Sequence, residues 1–196
     1  MSPGIESRFC PLRLFVYGSL KHGFSNYGRY CRGAGSVEEA QIEGRLFQLP
    51  SGYPVLVLPQ SRILVRGTCD VVGDLRSQAA EKFGQTGVSR SGRLGESRVH
   101  GQLLTFAGSA ARLRAIDGLE QFRPGRKNPY KRVLIEVYSR TRQAPVTAWT
   151  YVAGDLSTRG RLILTGKWTA NADRRPKPPW PGSSGPPKPG SVRISG

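Results

Sequence analysis

Apolar residues recur along this chain in short runs bounded by Gly, Pro or Ser, at 12–17, 44–49, 55–58, 63–72, 99–106, 132–138 and 146–152. Each run is rich in β-branched or aromatic side chains, which predicts strands. In the sixth, Val133, Ile135 and Val137 alternate with Leu134, Glu136 and Tyr138, as a strand with one buried face requires. Two stretches follow the helical period instead, 109–122 and, less regularly, 75–83. The first begins at a Gly-Ser pair suited to capping and aligns Leu113, Ile116 and Leu119 in one stripe. Glu120 lies four residues beyond Ile116 and seven beyond Leu113, so it joins the apolar face, while Asp117 sits at its edge. Many strands and few helices predict an α+β fold, a small mixed β-barrel with a few flanking helices.

The 196 residues suffice for one domain with a core plus extensions. The hydrophobic share of 37% points to a polar segment, and the end of the chain supplies it. From Lys167 onward Pro, Gly, Lys and Arg dominate, and such a stretch builds neither ladder nor core. The reading is a flexible N-terminus at 1–11, a folded domain at 12–166 and a disordered basic tail at 167–196. PxxP spacings at Pro176 and Pro186 suit a protein partner with an aromatic groove.

Net charge is +17 over the whole chain, and twenty-four basic residues still face twelve acidic ones before Lys167. Such a balance raises a nucleic-acid partner. The arginines are scattered, however, and the densest group (Arg123, Arg126, Lys127, Lys131, Arg132) has no aromatic RNA-binding motif or zinc-finger spacing beside it. A basic enzyme acting on an anionic small molecule fits as well. No run is apolar for long enough to cross a membrane and no secretory signal opens the chain, so a cytoplasmic location is expected. Cys10, Cys31 and Cys69 are too far apart for a metal or redox motif, and with only His22 and His100 beside them neither metal nor cofactor is expected.

Candidate chemistry lies at two places. Tyr17-Gly18-Ser19-Leu20 leaves the first strand and enters the polar Lys21-His22-Gly23, a junction whose backbone N–H groups are suited to an anion. His22 lies near enough to brush a ligand held there. Glu120 is the second place, because burying an unpaired carboxylate costs several kcal/mol.

The strand-borne Val16-Tyr17-Gly18-Ser19-Leu20-Lys21, the later Gly52-Tyr53-Pro54, the helix end Ile116-Asp117-Gly118-Leu119-Glu120 and the following Tyr130-Lys131-Arg132-Val133 resemble, in order and spacing, the γ-glutamylcyclotransferase superfamily, nearest its γ-glutamylamine cyclotransferase branch. The resemblance spans about 12–152. It implies a barrel, no cofactor, and an intramolecular acyl transfer in which the α-amine of a γ-glutamyl amine or amino acid attacks its own γ-carbonyl. The products are 5-oxoproline and a free amine. It further implies Glu120 as general acid and base and Tyr17, Gly18, Ser19 and Leu20 as the glutamyl-binding loop. Tyr53 and Tyr130 are secondary substrate-binding candidates, since each also suits a simple turn.

Three alternatives stay open at this level. Glu120 becomes an ordinary salt bridge if Arg123 or Arg132 reaches it, and a base of raised pKa if the neighbouring cations turn to solvent. The Gly-, Ser- and Arg-rich excursion at 73–98 has two similar flanks; the second is taken to lead into the glutamate helix, and otherwise Asp70 or Asp74 becomes the rival acid. A non-catalytic barrel that uses its basic surface and tail for nucleic-acid or protein contacts is the competing reading.

Overall fold

The computed structural model describes residues 11–80, 97–108, 110–126, 128–154 and 160–169. The expectations for residues 1–10, for 81–96 of the excursion and for the tail beyond 169 lie outside them.

Strands β1 (Leu12–Val16), β2 (Ser36–Glu43), β6 (Arg98–Phe106), β7 (Tyr130–Ser139) and β8 (Val146–Ala153) form a closed five-stranded mixed barrel. β6 lies antiparallel between β1 (Leu12 opposite Phe106, Val16 opposite Gln102) and β2 (Ser36 opposite Thr105, Glu43 opposite Arg98). β7 pairs antiparallel with β8 along its length, and Ala40 opposite Ser139 joins β2 to β7. The circuit closes through β1 and β8, parallel at Leu14 and Trp149. The two-residue β5 (Val65–Arg66) adds to β7, and a separate sheet contains β3 (Arg45–Gln48) between β4 (Pro54–Val57) and β9 (Arg161–Leu162). Among the described residues three short α-helices flank the sheets: α1 (Tyr27–Tyr30), α2 (Val71–Ala80) and α3 (Ala110–Leu119).

The barrel wall is buried on both faces. Leu12, Leu14, Leu104, Phe106 and Trp149 pack with Leu75 of α2 and with Leu113 and Ile116 of α3. Phe15, Leu103, Val133, Ile135 and Ala148 form a second cluster with Leu46 and Leu56 of the small sheet. Strands covered on both sides read as nearly continuous apolar runs, which is why these stood out in the sequence.

Several expectations change. The strand expected over 63–72 is limited to β5, because Asp70 caps a helix: its Oδ1 accepts the Gly73 N–H at 3.0 Å, three residues on, and starts α2 earlier than 75. β2 had no counterpart in the expected set. Helix α3 ends at Leu119 rather than Phe122. The second flank, β6, does lead into the glutamate helix. Finally, the packed chain runs past the boundary drawn at 167, since Trp168 is 1% exposed.

Candidate functional site

The loop after β1 is folded by its own polar groups. Lys21 N–H donates to Gly18 O at 3.1 Å, and Asn26 closes the loop twice, through its N–H to Ser19 O and its Nδ2 to Ser19 Oγ. The N–H groups of Ser19 and Leu20 make no hydrogen bond among the described residues. Gly18 is needed for its lack of a side chain, because a Cβ there would stand 2.9 Å from Pro54 Cγ. The loop and the Gly52-Tyr53-Pro54 turn therefore touch backbone to ring.

Glu120 is presented by the end of α3. Phe122 N–H bonds to Asp117 O and Gln121 N–H to Gly118 O, the paired 6→1 and 5→2 bonds of a Schellman cap. Gln121 occupies the left-handed position usually held by glycine, at φ 53°. Glu120 is thus the last half-helical residue, and the turn after it holds the side chain against the barrel rim.

No cation pairs with Glu120 among the described residues. Arg123 and Arg126 are exposed, because buried Asn128 gathers their loop by accepting the Arg123 N–H and donating to the Arg123 and Arg126 carbonyls. Arg132 is buried but is engaged elsewhere, bonding Asp74 and Asp117 and donating to Thr68 O at 3.0 Å, with its guanidinium over the Phe122 and Trp149 rings. Burial, and secondarily the neighbouring Asp117, push the Glu120 carboxyl up to about 7. The helix dipole, negative at this end, acts in the same direction.

Tyr17, Gly18, Ser19, Leu20, Tyr53, Glu120 and Tyr130 all line one cavity of about 230 Å³. Sequence reasoning missed Asn26, Gln121 and Tyr151, which line it too. Tyr17 OH donates to Tyr151 O at 2.8 Å, Tyr130 OH to Pro54 O at 3.2 Å and Tyr151 OH to Asp117 Oδ1 at 2.7 Å. Burial raises the pKa of all three phenols, and the charge of Glu120 adds to it. They stay protonated, which leaves Glu120 as the cavity group poised to exchange a proton near neutrality.

The other candidates fall away from the cavity. Asp74 is bound to Arg132 and Thr68, and Asp70 is the exposed cap of α2. His22 is exposed and packs edge-on against Tyr27. Cys31 and Cys69 are free thiols, and no group of three His, Cys, Asp or Glu side chains that could hold a metal occurs among the described residues. No described helix is long and apolar enough to cross a membrane.

The closed mixed barrel carries Glu120 and the Gly18-Ser19 loop on one cavity, and comparison with known proteins gives the family of the chain. The chain belongs to the family described as gamma-glutamyl cyclotransferase, AIG2-like, whose sequence model matches residues 14–83 and 84–170. Members are generally cyclotransferases. Among solved structures, YkqA from Bacillus subtilis is similar at 18% identity and a TM-score of 0.47, over 81% of this chain but only 39% of YkqA. A mouse AIG2-like protein is 16% identical over 73% of this chain and 77% of its own, with a TM-score of 0.42. A yeast gamma-glutamyl cyclotransferase specific to glutathione is 14% identical over 73% and 69%, also at 0.42. None of these three reaches a TM-score of 0.5, so the family assignment rests on the sequence match. No curated protein matches the chain.

Proposed function

We propose that this protein is a γ-glutamyl cyclotransferase that converts a γ-glutamyl amine or amino acid into 5-oxoproline and a free amine, with Glu120 as its acid and base. The observation that carries the proposal is a carboxyl of pKa raised to about 7, without an ion pair among the described residues, in the same cavity as the Tyr17–Leu20 loop.

The free N–H groups of Ser19 and Leu20 hold the glutamyl moiety. Glu120, ionised, takes a proton from the substrate ammonium; the freed amine attacks the γ-carbonyl and forms the ring C–N bond. Glu120 gives that proton to the leaving nitrogen and takes the second proton from the ring nitrogen as the bond to the leaving group breaks; passing this proton on as well, so that the amine departs as an ammonium, returns Glu120 to its ionised form with no co-reactant consumed. A carboxylate of ordinary pKa near ~4.3 is too weak a base to take the ammonium proton in the first step and is almost wholly ionised near neutrality when a proton must be given back, whereas one near neutrality serves both. Holding amine and carbonyl in one folded substrate supplies much of the remaining acceleration. Among the described residues the cavity lining contains no Lys or Arg, which favours leaving amines without a carboxylate and hence the γ-glutamylamine branch. Such a substrate is a cytoplasmic small molecule, and no nucleic acid is required.

The test is 5-oxoproline release from a panel of γ-glutamyl amines and γ-glutamyl amino acids, by wild type and Glu120→Gln in parallel. Turnover that collapses in the variant is the expected result. A panel without product overturns the reaction, and a variant as active as wild type overturns the role of Glu120.

A further inference from the structure

The cavity has two walls that come from distant parts of the chain, the loop after β1 and the Gly52-Tyr53-Pro54 turn. Trp168 touches both. Its carbonyl accepts from Lys21 Nζ at 2.7 Å, one residue past Leu20, and its ring stacks on Phe24 of the same loop with centroids 5.5 Å apart. Its Nε1 donates to Gly52 O at 3.3 Å, beside Tyr53. Lys21 is itself buried and lies 4.4 Å over the Phe24 ring, so the whole group forms one packed unit.

The segment carrying Trp168 is fixed before it arrives. β9 pairs with β3, and Ile163 N–H donates to Leu46 O at 2.7 Å. Gly166 O then accepts the His100 N–H at 2.8 Å, and Gly166 lies so close to β6 that a Cβ would meet Arg98 O at 1.8 Å. A strap tied to the small sheet and to the barrel therefore delivers Trp168 at a defined place. A side chain fixed this way, bonded to one loop and stacked on the other, can set the distance between them.

We infer that Trp168 is a positioning residue that clasps the two walls of the cavity and sets the width of the glutamyl-binding site. The inference rests, for its kinetic consequence, on the cyclotransferase reading. Its mechanical content stands apart from that reading. Trp168 is not among the residues that line the cavity, so it governs how well substrate is held more than how fast the ring closes.

Trp168→Phe keeps the ring on Phe24 and the carbonyl for Lys21 and removes the bond to Gly52. In the full-length protein two readouts apply: amide hydrogen exchange, resolved to segments, and the kinetics of 5-oxoproline release. The expected result is exchange faster by about 3–10-fold, the loss of one neutral hydrogen bond, in segments 17–26 and 49–54, with β1, β7 and β8 unchanged. KM rises by a similar factor while kcat stays within about twofold. Leu164→Ala, at an exposed site on the same strap (87%), alters neither. Exchange that stays at wild-type rates in both walls overturns the clasp whatever the activity. Faster exchange spread evenly through the barrel overturns it as well, since that reports a structural role only. If wild type releases no 5-oxoproline yet both walls loosen selectively in the variant, the clasp stands and the reaction assignment fails. Unchanged KM despite loosened walls overturns the kinetic half of the inference.

Discussion

Asp117 and Glu120 stand three residues apart at the end of one helix, and the protein treats them in opposite ways. Asp117 receives the Arg132 guanidinium and the Tyr151 hydroxyl; burial still raises its pKa, with Arg132 opposing. Glu120 receives neither and titrates near neutrality. The difference shows where compensation goes. Arg132, the one buried arginine among the described residues, is shared between Asp117 and Asp74, tying α3 to α2, and the exposed arginines of the next loop are held away by Asn128. A carboxylate bound by a cation and one proposed for chemistry are thus separated by less than one helical turn.

The contrast is broken most severely at Glu120 itself. Glu120→Gln keeps the shape and removes the proposed proton carrier, and kcat for 5-oxoproline release should fall about 10²–10⁴-fold. Arg132→Ala attacks the other side, leaving two carboxylates buried without their cation. A loss of about 3–5 kcal/mol in chemical denaturation is expected, against little for Arg123→Ala.

A pH series sharpens the comparison. An unfolded glutamate loses its proton near pH 4.5, whereas folded Glu120 keeps it to about 7. Through that window the folded state holds the extra proton, so wild-type stability falls as pH rises. Glu120→Gln escapes this, and should exceed wild type by on the order of 1–2 kcal/mol at pH 8, a figure reduced for the partial exposure of the group, with no difference at pH 4. In kinetics, kcat/KM should rise through about pH 7 as Glu120 ionises. Asp117→Asn, which removes a neighbouring negative charge, should move that inflection downward. The smallest effect belongs to Gln121→Gly, where a residue free to adopt positive φ replaces one at 53° and should add about 1 kcal/mol to stability.

How much of this the sequence revealed depended on burial. β1, β6, β7 and β8 were legible because both of their faces are covered and Val, Ile, Leu and aromatics fill them. β2 was not, since Ser36-Val-Glu-Glu-Ala-Gln-Ile-Glu43 buries only Ala40 and Ile42 and its Val37 is 40% exposed. The run 63–72 misled for the opposite reason: β-branched composition suggested a strand, and a single aspartate cap outweighed it. The inward placement of Glu120 could be read from helical spacing, but whether Arg123 or Arg132 reaches it could not. Tyr151 could not be found, because in a strand buried on both faces nothing in the pattern separates a cavity side chain from a core one. The partition of Arg132 between two aspartates was likewise invisible, depending on α2, α3 and β7 meeting in space. Trp168 lay hidden in a proline- and glycine-rich context that reads as tail.

The parallel seam between β1 and β8 bears on how the molecule comes into being. Thr150 Oγ1 bonds Phe15 O across 135 positions of sequence. A contact of that span is entropically late to form, so closure of the barrel should be the slow step of folding. On the ribosome, Tyr17 emerges long before Tyr151, whose carbonyl receives its hydroxyl. The cavity cannot exist on a nascent chain until nearly the whole folded region has been made, and a chain truncated before β8 is not a weakened version of the site but one that lacks it.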